Sequence, residues 1–254
     1  MSDNSRPALR AALSNRMIQM TIGALAFIAA TATGAALGMQ STGGVGDKAA
    51  IERIVHDYIL EHPEIIPEAV ERLQAKRVAD SIGASRSAIE TPYAGAWEGA
   101  AKPDVTLVEF FDYACGYCRA SLPDLAKLAG EDKGLKIVYR ELPILSDESA
   151  DAAKVSLLAA EKGQYMAYHR ALYAAGRVTR DTIFAAAAKV GIGKAEAEAA
   201  IASHKYDAEI QSNIALAQKL HASGTPTFVV GDQVLNGAVG YDALKKAIAT
   251  VRKN

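Results

Sequence analysis

Two cysteines stand three positions apart in Cys115-Gly116-Tyr117-Cys118, and the 254-residue chain has no others. Thiols at this spacing can open and close a disulfide, or supply half of a soft metal site. Zinc needs two further ligands, and His56, His62, His169, His204 and His221 show no paired ligand spacing with the cysteines. A purely structural disulfide across so short a loop removes little entropy from the unfolded chain. Redox exchange is the chemistry that suits the pair best. It requires one thiolate that attacks and a second thiol that resolves the mixed disulfide.

The neighbouring residues give each cysteine a part. Val105 to Phe111 (VTLVEFF) is a continuous β-branched and aromatic run that reads as a buried strand, and Arg119 to Leu128 reads as helix. The cysteines therefore fall where a strand ends and a helix begins. Free backbone N–H groups and the helix dipole favour a sulfur anion at that spot, which makes Cys115 the nucleophile. Cys118 lies one turn further in and is placed to resolve. The i, i+3 spacing puts both sulfurs on one side of the helix start. Glu109 is an acid inside an apolar strand, so its pKa is expected to be raised and it can relay a proton to Cys118. A plain ion pair or backbone contact for Glu109 is the alternative.

A second motif, Gly224-Thr225-Pro226-Thr227, stands just before a short strand far along the chain. Taken alone, Thr-Pro here reads as an ordinary trans turn. With FFDYACGYCR followed much later by GTPTFVV, and helices between them, the sequence resembles the DsbA-like thiol-disulfide oxidoreductases of thioredoxin fold. The resemblance runs from about Tyr93 to the C-terminus. The preceding HPEIIPEA passage is similar to the N-terminal part of ScsC-type exported members.

The resemblance implies that Cys115 attacks, Cys118 resolves, and Pro226 is cis and lies against the cysteines. It implies that the backbone of Thr225 offers an edge to an extended substrate, and that Glu109 is the buried acid beneath the site. Gly116 and Tyr117 would face the substrate. Strong oxidases of the family carry Pro-His between the cysteines, and Gly116-Tyr117 has no cation there. The disulfide is therefore expected to be less oxidising than theirs, with a potential above thioredoxin's value of about −270 mV. Gly-Tyr with Thr before the proline is similar to disulfide isomerases. Isomerase or reductase work on unfolded or misoxidised exported proteins is expected first, and net dithiol oxidation second. From another class, a copper- or zinc-binding protein could use the same CxxC as soft ligands. The reading needs no cofactor beyond the Cys115–Cys118 disulfide and no metal, and it implies a membrane redox partner that recharges the pair.

The expected fold is α/β and thioredoxin-like. Strand, CxxC helix and the strand Leu135 to Leu142 form a βαβ unit with a parallel crossover. An alanine-rich stretch, about 147–222, reads as four or five short inserted helices, with Thr179 or Asp181 as an N-cap. Thr227–Val230 and Gln233–Asn236 read as a hairpin turning at Gly231-Asp232, and Tyr241 to Arg252 as a closing helix. Trp97 is placed in a Gly/Ala loop. His169, Tyr165, Tyr168 and Tyr173 read as packing residues.

The domain at 91–254 is preceded by a linker and helical arm at 41–90. Ile51, Ile54, Val55, Tyr58 and Ile59 mark an amphipathic helix, broken at His62-Pro63 and Pro67. A second helix then carries Ile66, Val70 and Leu73. The arm is read as an oligomerisation element over residues 49–90 or as a decoration of the domain. Residues 1–40 hold a 23-residue uncharged stretch, Met17 to Met39, behind Arg6, Arg10 and Arg16. That is a signal peptide or membrane anchor, and either one sends the rest to the periplasm or an equivalent extracytoplasmic, oxidising space. A net charge of −1 with 22% charged residues excludes nucleic-acid binding by counterion release.

Overall fold

The computed structural model describes residues 48–253. The uncharged stretch at 17–39 and most of the glycine-rich spacer lie outside the described residues. The chain divides into two compact units at Glu68/Ala69.

Within the first unit, helix α1 (Lys48–Glu61) buries no residue, and Ile54, Tyr58 and Leu60 are all more than half exposed. It stops before Pro63, as the missing N–H and the restriction on the preceding residue require. Helix α2 (Ile65–Glu90) starts two residues later. Pro67 falls in its first turn, where no intrahelical bond is lost.

The second unit is built on a five-stranded mixed sheet in the order β1-β3-β2-β4-β5. Its strands are β1 (Trp97–Gly99), β2 (Val105–Phe111), β3 (Leu135–Glu141), β4 (Thr227–Val230) and β5 (Gln233–Asn236). Strands β2 and β3 run parallel, Val105 opposite Leu135 through Phe111 opposite Glu141, joined by α3 (Gly116–Glu131). This is the expected βαβ unit. Helices α4 (Asp147–Glu161), α5 (Tyr165–Ala174), α6 (Arg180–Lys189), α7 (Lys194–Ala202) and α8 (Asp207–Lys219) form the insertion. Thr179 caps α6 in a reciprocal capping box with Thr182. Helix α9 (Tyr241–Val251) closes the chain.

Both faces of β2 are covered, which is why its sequence is a continuous apolar run rather than an alternating one. Val105, Leu107 and Phe111 belong to a core shared with α3, α5 and α9, while Val108 and Phe110 belong to a second one. Ile82 and Ile89 of α2 and Leu216 of α8 complete that second core, so the C-terminal half of α2 packs on the sheet. Arg140 of β3 locks it there. Its buried guanidinium donates to the carbonyls of Ala88, Ile89 and Thr91 and pairs with Glu209 at 2.8 Å.

Two local expectations change. Trp97 lies in a short edge strand, not a loop, because residues 97–99 pair antiparallel with Lys136–Val138. Helix α3 begins at Gly116 rather than Arg119, since Cys115 itself supplies the N-cap acceptor.

Candidate active site

The first turn of α3 carries both cysteines, and its cap explains their geometry. Cys115 has extended backbone (φ −79°, ψ 116°), and its Sγ accepts the amide N–H of Cys118 at 3.3 Å. The sulfur thus occupies the position where a serine or aspartate oxygen commonly caps a helix. Both cysteines are free thiols and both are buried, Cys115 at 5% and Cys118 at 1% exposure.

The second motif arrives from the other end of the domain. Strand β4 pairs antiparallel with β2, Phe110 opposite Thr227. The segment before β4 is thereby brought to the end of β2 that leads into the redox turn. The Thr225–Pro226 bond is cis, and the Cys115 thiol donates to the Thr225 carbonyl at 3.2 Å. Cys115, Cys118, Thr225 and Pro226 are therefore brought together.

Glu109 sits beneath them. It alternates with Leu107 and Phe111 on the β2 face that carries the cysteines, and it is 1% exposed with no hydrogen-bond partner for Oε1 among the described residues. Burial holds its carboxyl well above the usual range, helped by negative charge at Cys115, Glu98 and Glu141. Burial also pushes the Cys118 thiol above its ordinary value, with Glu109 adding to the shift. An unpaired acid and a protonated thiol on one buried face can pass a proton between them. Gly116 and Tyr117 lie outward. A side chain at position 116 would meet nothing within 4 Å, and Tyr117 is 72% exposed.

Sequence reasoning missed Asp112, which organises the turn. Its Oδ1 accepts the Ala114 N–H at 2.7 Å and the Ser149 hydroxyl at 2.6 Å. Its Oδ2 accepts the N–H groups of Ile144 and Leu145, both at 2.9 Å. Its carbonyl takes the Cys115 amide and the Tyr173 hydroxyl, each at 3.0 Å. One carboxylate therefore ties the redox turn to the loop after β3, where Ile144 and Leu145 stay exposed. The available signal was an aspartate two residues before a turn amide, the signature of an Asx-turn. His169 lies in the core as expected, ringed by Phe111, Tyr113, Tyr139, Tyr165 and Tyr173. Burial pushes its pKa down to about 3, so it stays neutral.

A mixed sheet with a CxxC helix and a cis-proline loop facing it defines a thioredoxin-like fold. The model of the DSBA-like thioredoxin domain family matches residues 106–249, and the chain belongs to that family. The model of the copper resistance protein ScsC N-terminal domain matches residues 47–79. A thioredoxin-like oxidoreductase from Silicibacter pomeroyi DSS-3 superposes with a TM-score of 0.63 at 36% identity, covering 66% of this chain and 98% of that one. Proteus mirabilis ScsC in a transitional conformation gives a TM-score of 0.63 at 26% identity, over 84% of this chain and 99% of that one. The thiol:disulfide interchange protein DsbA of Bordetella pertussis is 25% identical over 144 residues, 53% of this chain and 67% of that protein. The chain also matches two Salinispora Na⁺/H⁺ antiporters, and spans only about a quarter of their length.

Proposed function

We propose that this protein is an exported thiol-disulfide oxidoreductase acting on the disulfides of other proteins, through isomerisation or reduction ahead of net oxidation. The observation that carries the reading is the Cys115 sulfur, set at a helix N-terminus and 3.2 Å from the Thr225 carbonyl. In isomerisation the Cys115 thiolate attacks a wrong disulfide, a new S–S bond forms, and the displaced substrate sulfur leaves as a thiolate. Cys118 then either stays idle while the substrate rearranges or attacks Cys115 and releases a reduced substrate. Reduction converts the pair to a disulfide, which a membrane redox partner must reduce again.

Two features favour isomerase or reductase work over oxidation. Gly116-Tyr117 places no cation beside Cys115, so the reduced form gains no ion pair from that dipeptide. The exposed apolar residues Ile51, Ile54, Val55 and Tyr58 of α1, and Ile66, Val70 and Leu73 of α2, suit self-assembly of copies around a client chain. Arg6, Arg10 and Arg16 ahead of an uncharged stretch support export to the periplasm by signal peptide or anchor. Among the described residues no helix is long and apolar enough to cross a membrane.

The test runs three assays in parallel: reactivation of scrambled ribonuclease, oxidation of reduced ribonuclease, and titration with copper or zinc. Reactivation with slow net oxidation is the expected pattern. Fast net oxidation would assign a dithiol oxidase instead, and tight stoichiometric metal uptake without exchange would assign a metal-binding protein.

A further inference from the structure

Beside the redox turn the surface opens into a cavity of about 290 Å³, lined among others by Ala114, Arg119, Ser146, Glu148, Arg177 and Thr179. Ala114 immediately precedes Cys115, and the Arg119 amide donates to the Cys115 carbonyl at 3.2 Å. Two of its lining residues therefore flank Cys115 in the chain, and the Arg119 backbone follows that of Cys115 by one helical turn, about 5 Å along the axis.

Its electrostatics suit an anion. One terminal amino group of Arg119 is held by the Gly176 carbonyl, while its Nε–H is buried with no partner among the described residues. Arg177 adds a second guanidinium. Ser146 is the N-cap of α4 and Thr179 the N-cap of α6, so the positive ends of two helices meet at the same wall. Against these stand Glu148 on the lining and Asp147 and Asp181 in the two first turns. On the lining itself, two cations face one acid.

We infer that the cavity is a carboxylate subsite, which takes an acidic group carried close to the cysteine that Cys115 attacks. It rests on the exchange reading above. At about 3.3 Å per extended residue, one helical turn corresponds to an acid one to three positions from the reacting cysteine. The carboxylate keeps its charge throughout. The exchange itself forms the Cys115–substrate S–S bond, breaks the substrate's S–S bond and expels the second substrate sulfur as a thiolate. The acid comes from an Asp or Glu side chain of a protein substrate or from the carboxylates of a small tripeptide thiol.

Stopped-flow rate constants of the full, reduced chain decide this with two pairs of disulfides. One pair is a peptide disulfide with Glu two residues from the cysteine and its Gln counterpart. The other is glutathione disulfide and bis(hydroxyethyl) disulfide. The expected acidic-to-neutral ratio is about fivefold or more at low salt in at least one pair, shrinking at high salt. It should fall toward one in Arg119→Gln and, separately, in Arg177→Gln. Because the readout is a ratio within each variant, a general loss of activity does not imitate it. Preference in the peptide pair alone assigns a protein acid, and preference in the glutathione pair alone assigns a small thiol. A ratio near one in the unaltered chain, or one that survives both substitutions, overturns the subsite. Exchange with neutral disulfides but no charge preference overturns the subsite alone, whereas no exchange with any disulfide overturns the exchange reading with it.

Discussion

The Cys115 thiol donates to the backbone carbonyl of Thr225 at 3.2 Å, across 110 positions of sequence. Strand order produces this meeting: β4 inserts beside β2, so the loop before β4 ends where the loop after β2 begins. The sulfur thereby has a helix N-terminus behind it and the Thr225 carbonyl in front.

If Cys115 attacks and Cys118 resolves, their serine variants must fail differently. Cys115→Ser should reduce exchange to the uncatalysed rate. Cys118→Ser should still attack and then accumulate mixed disulfides with substrate, visible as slower bands on non-reducing gels. Equal loss in both variants, with no trapped species, would contradict the division of labour.

Glu109 has two measurable consequences. Its raised carboxyl pKa means that the folded protein holds a proton the unfolded chain has released above about pH 4.5. Stability from this group is present below that pH and is lost as pH rises through the folded-state value. Glu109→Gln removes the charge while keeping the shape. Thermal melts should show it more stable than the parent at pH 7, by about 1 kcal/mol or more, with the gap closing toward pH 4. The same variant should slow the Cys118-dependent resolving step on the order of 100-fold, while leaving attack by Cys115 nearly unchanged.

Asp112 accepts four hydrogen bonds through its carboxylate, two of them from the loop after β3. Asn at this position keeps one acceptor oxygen and turns the other into a donor facing N–H groups. Asp112→Asn should cost about 3 kcal/mol, read by urea unfolding. It should also open residues 142–146 to limited proteolysis. Loss of stability without new cleavage there would mean that Asp112 does not hold that loop.

These cases mark what was legible in the sequence. The Cys115 and Cys118 pair and the Glu109 strand were legible because each combines residue types that are rare in its setting, whereas Thr225-Pro226 read by itself as a trans turn and its cis form was expected only through the family resemblance. The hairpin at Gly231 was legible too: φ is +56° there, and a side chain would strike Val251. Asp112 was not, since an aspartate after a strand looks like any turn residue until its distant partners at 144, 145 and 149 are known. Trp97 was misplaced for a similar reason. A three-residue edge strand has no periodicity of its own and exists only because β3 pairs with it. Arg140, buried at 4% exposure, ties α2 and α8 to the sheet through contacts that no local pattern announces.

The helical arm offers a separate test. Ile54 and Tyr58, one turn apart on α1, are 68% and 54% exposed, and lysine at both should leave the helix intact because lysine is a good helix former. Light scattering of the full chain should show an oligomer that the double variant loses, with reduction of small disulfides retained. A monomer in both would remove the assembly role of residues 49–90.

The central claim is that Cys115 and Cys118 form one two-electron redox couple. Its most direct test is equilibration of the full chain in glutathione buffers of graded poise, with alkylation and mass spectrometry to count free thiols. The expected result is a single cooperative transition between dithiol and Cys115–Cys118 disulfide, with its midpoint between about −270 and about −120 mV. Thiols that remain free at every poise, or that are capped one at a time without ever joining, would contradict it.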